Sequence, residues 1–180
     1  MSKLLLIAGL PCAGKTTVAK ILSELTNAPI VVMGDIVREI SQKTGEEPHK
    51  IAVGLRVREG RRAIALRVLE KLKNIKNDLI IVEGVRSIDE VECFREHGYE
   101  TYLIYVVASR PERERRALAR GRDEDVKHVP NITLRDLRES AYGLTDLIIY
   151  ADVVLLNEYE SIEGVREACI NLLRKLKIIE

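Results

Sequence analysis

Residues 9–16 read Gly9-Leu10-Pro11-Cys12-Ala13-Gly14-Lys15-Thr16 and satisfy the pattern G-x-x-x-x-G-K-[ST] in full. An apolar run at residues 3–8 precedes them and a helical pattern at residues 15–25 follows, which is the context in which this pattern forms a phosphate-binding P-loop. Glycines allow the loop to wrap so that its backbone N–H groups point inward, and the helix N-terminus adds unpaired donors and a positive dipole end. The sequence therefore predicts a loop that binds a nucleoside triphosphate, taken here as ATP, together with Mg²⁺.

Individual residues of this loop have predicted roles. Lys15 is expected to reach the β and γ phosphates as a point charge, and the Thr16 hydroxyl is expected to bind the Mg²⁺ that bridges them. A thiol at a helix N-terminus can have a lowered pKa and react, but we favour Cys12 as a small space filler. The predicted ATP-binding residues are Gly9, Leu10, Pro11, Cys12, Ala13, Gly14, Lys15, Thr16 and Thr17.

The rest of the chain alternates short apolar runs with longer helical patterns, which predicts an α/β fold with a parallel sheet and helices on both faces. The predicted strands are residues 3–8, 30–33, 79–82, 102–107 and 153–156, and each is a continuous apolar run typical of a buried parallel strand. Helices are predicted at residues 15–25, 35–43, 50–73, 89–97, 111–120, 133–149 and 161–177. Gly54 and Gly60 weaken the first half of the long third helix.

Bulk composition excludes several classes of protein. The 180 residues are 46% hydrophobic and suit one domain, residues 1–180, with a proper core. A net charge of +1 provides no field that would attract nucleic acid or an anionic membrane. The three cysteines are dispersed and form no CxxC pair, which argues against disulfides and zinc. The six apolar or small residues before Gly9 are too few for a signal peptide or a membrane span, so we expect a cytoplasmic protein.

Two further segments supply charge near the carboxyl ends of strands, where ligands bind in open parallel sheets. In Met33-Gly34-Asp35-Ile36-Val37-Arg38, Asp35 suits a helix N-cap and Arg38 lies one turn further on. Arg38 is expected either to bind a second phosphate or to pair with Glu39 or Glu46.

The second segment is Leu79-Ile80-Ile81-Val82-Glu83-Gly84-Val85-Arg86, a strand that ends in an acid, a glycine and an arginine. Glu83 is expected to hold a magnesium-bound water and Arg86 a substrate phosphate. The alternative is an ordinary turn with solvated charges.

A highly charged helix at residues 111–120 places Arg113, Arg116 and Arg120 at i, i+3 and i+7 on one face. Guanidinium groups brought in by a lid stabilise the charge of a transferring phosphoryl group. We assign that role to Arg116, Arg120 and Arg122, and we interpret Arg113 and Arg115 as solvated residues paired along the helix. Residues 121–131 are predicted to form a mobile flap.

Together these segments resemble the adenylate-kinase-like nucleotide kinases, whose pattern is a P-loop, then G-D-x-x-R, then acid-G-x-x-R, then an arginine-bearing lid. The chain looks most like an archaeal family of adenylate-kinase-related proteins, also compared with dephospho-CoA kinases, through Val82-Glu83-Gly84-Val85-Arg86-Ser87 and Ala151-Asp152-Val153-Val154-Leu155-Leu156-Asn157. The resemblance spans nearly all 180 residues.

This resemblance implies a P-loop NTPase fold with strand order 2-3-1-4-5, an acceptor-binding helical insertion at about residues 34–76 and a lid at about residues 109–131. It also implies that Asp35, Arg38 and Arg86 bind the acceptor, that Arg116, Arg120 and Arg122 act from the lid, and that Asn157 lies near the base. An AMP-like nucleotide is the implied acceptor. Val85-Arg86 replaces the usual F-P-R, the acid after the third strand is Glu instead of Asp, and the lid lacks a long hairpin or zinc cluster, so the acceptor's identity stays open.

Other functions make different demands on the sequence. A GTPase switch needs N-K-x-D and a D-x-x-G after the third strand, and neither stands in those places. The low net charge and few aromatics argue against a kinase of nucleic-acid ends. Dephospho-CoA kinase-like activity and a non-catalytic ATP-binding regulator remain alternatives. His49, His97 and His128 lie in no motif, and phosphoryl transfer to a phosphate requires no strong base.

Overall fold

A parallel sheet forms the centre of the computed structural model, which describes residues 2–120, 131–159 and 161–180. Its five strands are β1 (Lys3–Ala8), β2 (Ile30–Val32), β3 (Leu79–Glu83), β4 (Glu100–Val107) and β5 (Val153–Leu156). They lie in the order β2-β3-β1-β4-β5, and every neighbouring pair is parallel. The predicted α/β fold class and the strand order 2-3-1-4-5 are confirmed.

Helices connect the strands and cover both faces of the sheet. They are α1 (Lys15–Thr26), α2 (Met33–Thr44), α3 (Pro48–Glu59), α4 (Ala63–Leu72), α5 (Ile88–Glu96), α6 (Arg110–Arg120), α7 (Asn131–Ala141), α8 (Leu147–Tyr150) and α9 (Ile162–Lys175). In the part of the chain that the structure describes, no helix is both long and apolar enough to cross a membrane.

Two predicted helices are each broken in two by a glycine. The predicted helix at residues 50–73 is α3 followed by α4, because Gly60 takes the left-handed φ of 89° and its N–H donates to the Arg56 carbonyl. Similarly, the predicted helix at residues 133–149 is α7 followed by the short α8. Gly143, with a φ of 96°, lies in the turn between them. Glycine adopts this backbone conformation at little cost, which is why it commonly ends helices.

The prediction that Asp35 caps a helix is wrong. Strand β2 runs directly into α2, which begins at Met33, so Val32 holds the cap position and Asp35 is the third residue of the helix. Its carboxylate still lies in the first turn, where negative charge interacts favourably with the helix dipole.

The core has two layers, one on each face of the sheet. Alternate residues of β1 point to opposite faces, so that Leu4 and Leu6 pack with the layer of α2 to α5, whereas Leu5 and Ile7 pack with the layer of α1 and α9. All four side chains are fully buried. The central position of β1 therefore fixes the loop that follows it firmly against both layers.

Strand β5 departs from the predicted continuous burial. It is the edge strand next to β4, and its residues alternate between buried and exposed. Val153 and Leu155 pack against the layer of α1 and α9, while Val154 and Leu156 are exposed on the other face. Among the described residues, only one face of this edge strand is covered, so its burial follows the period of two.

Candidate functional site

The loop between β1 and α1 packs so tightly that two of its positions require glycine. A Cβ atom on Gly9 would lie 2.2 Å from the Val106 carbonyl oxygen, and one on Gly14 would lie 2.1 Å from Nδ2 of Asn157. Both glycines have positive φ, 143° and 92°. The loop backbone is thus held against β4 and against the residue that follows β5.

The start of α1 presents backbone donors. Gly14 occupies the cap position in the left-handed conformation, and no side chain caps the first turn. The N–H groups of the first turn of any helix lack partners within the helix, and they attract anions. The side chain of Thr17, in this turn, is exposed. This arrangement fits a phosphate cradle.

Cys12 lies inside the loop and not on its surface. It takes a left-handed φ of 62°, is 5% exposed and packs with Ala117 and Ile132. Its neighbours Pro11 and Ala13 are also buried, and Leu10 packs partly buried against the core. In this position the side chain of Cys12 fills space between the P-loop and the helices α6 and α7.

Lys15 is folded over its own loop. Its Nζ donates hydrogen bonds to the carbonyl oxygens of Gly9 at 2.7 Å and Leu10 at 2.9 Å. Burial, and after it the charge of Arg86, lower the pKa of Lys15 to about 8, whereas the carboxylates of Glu83 and Glu139 oppose the shift. The ammonium group therefore lies within electrostatic range of a second cation, Arg86, and the space beside these two side chains is called the crevice.

The hydroxyl of Thr16 and the carboxylate of Glu83 meet across β1 and β3. The strand register pairs Ile7 with Glu83, so the P-loop and the end of β3 lie side by side. The Thr16 hydroxyl donates to Oε1 of Glu83 at 2.9 Å. Both groups are oxygen ligands of the kind that Mg²⁺ prefers, and Mg²⁺ usually keeps several waters with only one or two protein ligands. Thr16 and Glu83 fit such a site, and the described residues contain no larger metal-binding group of His, Cys, Asp or Glu.

Asn157 supports the P-loop from the end of β5. Its side chain is 3% exposed, and its Nδ2 donates to the Ala13 carbonyl at 2.8 Å. Its Oδ1 is buried and has no hydrogen-bond partner among the residues that the structure describes. Buried polar atoms are nearly always paired. An acceptor atom without a partner beside a nucleotide loop suits a ligand N–H group.

The arginines of α6 contact the P-loop backbone. Arg113 is 5% exposed; its Nη1 donates to Asp136 at 2.8 Å and to the Pro11 carbonyl at 3.3 Å. The interpretation of Arg113 as a solvated residue is therefore wrong, because α7 and the loop enclose it. Arg115 fits that interpretation, since it is exposed and pairs with Glu112.

Arg116 joins three parts of the site. Its Nε donates to Glu112 at 2.7 Å, its Nη1 to the Ala13 carbonyl at 3.1 Å and its Nη2 to the Asn157 carbonyl at 2.8 Å. The side chain of Arg120, at the end of α6, and the whole of Arg122 lie outside the described residues, as does the predicted flap up to residue 130.

Arg38 does not reach the crevice in this structure. Its guanidinium pairs with Asp35 on the same helix, and both side chains are about half exposed. The partner is Asp35, not the predicted Glu39 or Glu46. Of the two sequence-predicted acceptor arginines, Arg86 is the one that acts electrostatically on Lys15 of the P-loop.

Arg86 belongs to a buried charge network that sequence reasoning missed. Its Nε pairs with Glu139 of α7, and its backbone N–H donates to Glu90 at 2.7 Å. Glu90 is fully buried and also pairs with Arg56 of α3 at 3.0 Å. The guanidinium of Arg56 lies 4.3 Å from the ring centroid of Tyr142, within the range of a cation–π contact.

One sequence signal for this network exists. Glu90 is a carboxylate on the apolar stripe of α5, beside the buried Val91 and Phe94, and charged residues are rarely buried unless they are paired. Arg56, Glu139 and Tyr142 join it only through tertiary packing, and nothing in their local sequence indicates this.

The Arg56–Glu90 pair leads to a stability prediction. Burial raises the pKa of Glu90 and the charge of Arg56 opposes the rise, so Arg56→Met leaves a buried carboxylate without its counter-charge. We expect a loss of about 3 kcal/mol in the free energy of unfolding at pH 7. A carboxyl group with a raised folded-state pKa contributes stability that is lost as pH rises through that pKa. Urea unfolding should therefore show a smaller loss at about pH 5.

The matched control is Arg62→Met, which removes the more exposed Arg62–Glu96 pair at 2.5 Å. Arg62→Met should lower the free energy of unfolding much less, and the loss should not shrink at about pH 5. In a Glu90→Gln background, Arg56→Met should also lower the free energy of unfolding less than it does in the wild type. An Arg56→Met loss that is equal at both pH values and in both backgrounds would contradict the role of the pair.

Comparisons with known proteins identify the family of this chain. A family model described as an AAA domain matches residues 5–138. A UPF0200 protein of Pyrobaculum aerophilum is 40% identical over 178 residues, which cover 98% of this chain and 100% of that protein. A UPF0200 protein of Hyperthermus butylicus is 36% identical over 170 residues, covering 92% and 90% of the two chains. The chain belongs to the UPF0200 family.

Solved structures show the fold. Shikimate kinase from Acinetobacter baumannii in complex with shikimate superposes with a TM-score of 0.62 at 20% identity, covering 99% of this chain and 97% of that one. An uncharacterized protein from Eubacterium ventriosum gives a TM-score of 0.60 at 12% identity over 96% and 99% of the two chains. At such identities the likeness is one of fold alone, and that fold is the P-loop kinase fold.

Proposed function

We propose that this UPF0200 protein is a kinase that transfers the γ-phosphoryl group of ATP to a small phosphate-bearing acceptor, with a nucleoside monophosphate such as AMP as the first candidate. One observation carries the proposal: the pairing of Ile7 with Glu83 places the P-loop beside the end of β3, so that the cations Lys15 and Arg86 lie within electrostatic range of each other. A binder of ATP alone needs the first cation but has little use for the second.

On the donor side, Lys15 and the amides of the P-loop hold the β and γ phosphates. Thr16 and Glu83 would hold Mg²⁺, which when bound supplies positive charge to oxygens of the same phosphates. Asn157 fixes Ala13 of the loop, and its buried Oδ1, which has no partner among the described residues, is assigned to the nucleotide.

On the acceptor side, Arg86 binds the acceptor's phosphate. An oxygen of that phosphate attacks the γ-phosphorus, a new P–O bond forms, and the bond to the β,γ-bridging oxygen breaks with its electron pair leaving on ADP. The protein contributes position and charge neutralisation more than covalent chemistry. Arg116, Arg120 and Arg122 would stabilise the transferring group, and Asp35 and Arg38 are assigned to the acceptor by resemblance alone.

Asp152 lies in the segment that resembles dephospho-CoA kinases. Its carboxylate accepts a hydrogen bond from the Leu103 N–H at 2.7 Å, and its own N–H donates to the Leu103 carbonyl at 2.9 Å. Asp152 thus extends the pairing of β4 with β5. Because this structural role accounts for the residue, Asp152 does not support dephospho-CoA as the acceptor.

An acceptor screen tests the proposal. ATP and Mg²⁺ are incubated with AMP, CMP, UMP, GMP, dephospho-CoA, shikimate or a 5′-hydroxyl oligonucleotide, and products are identified by mass. We expect a product one phosphoryl group heavier from at least one nucleoside monophosphate and none from shikimate, which has no phosphate. If no acceptor gains a phosphoryl group although ATP binds tightly, the regulatory alternative replaces the kinase.

A further inference from the structure

Arg86 is held by a carboxylate from a distant part of the chain. Its partner Glu139 lies 53 residues further on, in α7, and the two side chains are only 25% and 21% exposed. The backbone of Arg86 is fixed separately by Glu90. The guanidinium therefore has a defined place at the end of β3, and a negative charge from α7 covers it.

Helix α7 carries a second carboxylate with the same kind of contact. Asp136 lies three residues before Glu139, so the two side chains share one face of the helix. Asp136 accepts a hydrogen bond from Arg113 at 2.8 Å, and Arg113 also donates to the Pro11 carbonyl of the P-loop. One face of α7 thus contacts the donor side of the site through Asp136 and the acceptor side through Glu139.

The charge of Glu139 acts on both cations of the crevice. Besides pairing with Arg86, it is one of the carboxylates that oppose the lowering of the Lys15 pKa, a lowering caused first by burial and then by Arg86. The Glu139 carboxylate therefore lies where a bound acceptor would bring its own negative charge.

From this geometry we infer that the Glu139 carboxylate occupies the position on Arg86 that the acceptor's phosphate takes when it binds. Because the ligand must displace this carboxylate, the site is restricted to dianionic phosphomonoesters. The inference rests on the proposed function and names the acceptor class. A carboxylate offers one negative charge, whereas a phosphomonoester near neutral pH carries a charge of about −1.5 to −2 and three acceptor oxygens. A dianion that displaces Glu139 interacts more strongly with Arg86 than the carboxylate does, whereas a monoanion carries the same charge as the carboxylate and gains nothing.

Binding of small anions to the full chain tests this directly. Mg²⁺ and the non-hydrolysable analogue AMP-PNP fill the P-loop, and methyl phosphate or methyl sulfate is titrated while amide NMR signals are followed. Methyl phosphate is the smallest phosphomonoester and methyl sulfate is its monoanionic counterpart. The variants are Glu139→Gln and Glu139→Ala, and the matched control is Glu96→Gln, which neutralises a carboxylate paired with Arg62 outside the crevice.

The wild-type chain should bind methyl phosphate and not methyl sulfate. Both Glu139 variants should bind methyl phosphate about tenfold more tightly, because the ligand no longer has to displace a hydrogen-bonded charge from Arg86, and should also bind methyl sulfate. Glu96→Gln should behave like the wild type. Unchanged or weaker binding of methyl phosphate by the Glu139 variants overturns the inference, as does the absence of methyl phosphate binding in every variant.

The two proposals fail separately. If phosphoryl transfer occurs in the acceptor screen but Glu139→Gln does not raise the affinity for methyl phosphate, the kinase function stands and the role of Glu139 is contradicted. If the tenfold gain is seen but no acceptor is phosphorylated, the anion site on Arg86 stands and the kinase function is contradicted.

Discussion

Replacement of Lys15 by alanine is expected to abolish phosphoryl transfer, with a fall in kcat of at least about a thousandfold, since it removes a preorganised charge that stabilises the transition state. In the structure the ammonium group is held over the P-loop by the carbonyls of Gly9 and Leu10, so its position is set before a nucleotide arrives. Transfer is measured by product mass at saturating ATP and acceptor, and thermal unfolding confirms that the variant is folded.

The matched control for this variant is Lys20→Ala. Lys20 lies on the same helix, α1, and is exposed, so its loss should leave transfer within about twofold of the wild type. Transfer by Lys15→Ala within tenfold of the wild type would contradict the assignment of residues 9–16 as the donor site.

Replacement of Arg86 by alanine is expected to weaken acceptor binding by about a hundredfold while the ATP affinity changes by less than about threefold. A hydrogen-bonded charge contact of this kind contributes about 1.5–3 kcal/mol, and Arg86 follows β3 instead of the P-loop strand β1. The two dissociation constants are measured separately by calorimetry, with ATP alone and with the acceptor found in the screen.

Arg95→Ala serves as the control, because Arg95 pairs on the surface with Glu92 of its own helix and should affect neither constant. Equal losses of ATP and acceptor affinity in Arg86→Ala would contradict the division of the crevice into two sides. The change also frees Glu139, so part of any altered ATP affinity would come from the uncompensated carboxylate near Lys15.

Local patterns in the sequence predict most of the donor side. The P-loop motif, the apolar strand before it and the helix after it lie within 25 residues, and parallel strands place their carboxyl ends at one edge of the sheet. Hence Glu83 and Arg86 could be predicted beside the loop, and the structure places both there. The breaks at Gly60 and Gly143 could not be located, because an isolated glycine inside a helical pattern is often tolerated.

Contacts between distant segments account for what sequence reasoning missed. Arg113 lies among exposed arginines of α6, and the local sequence does not distinguish it from them. Only the packing of α7 and the P-loop around it shows that it is buried. The pairing of Arg86 with Glu139 joins residues 53 positions apart. Helical periodicity specifies which face of α7 these carboxylates share, but it does not specify what that face contacts.

The most direct test of the kinase assignment follows the γ-phosphoryl group itself. ATP labelled with ¹⁸O in the non-bridging γ oxygens is incubated with the wild-type chain, Mg²⁺ and a nucleoside monophosphate, and the mass of each phosphate-containing product is measured. We predict that the labelled phosphoryl group appears on the acceptor. Label found only in inorganic phosphate, or only in unchanged ATP, would contradict it.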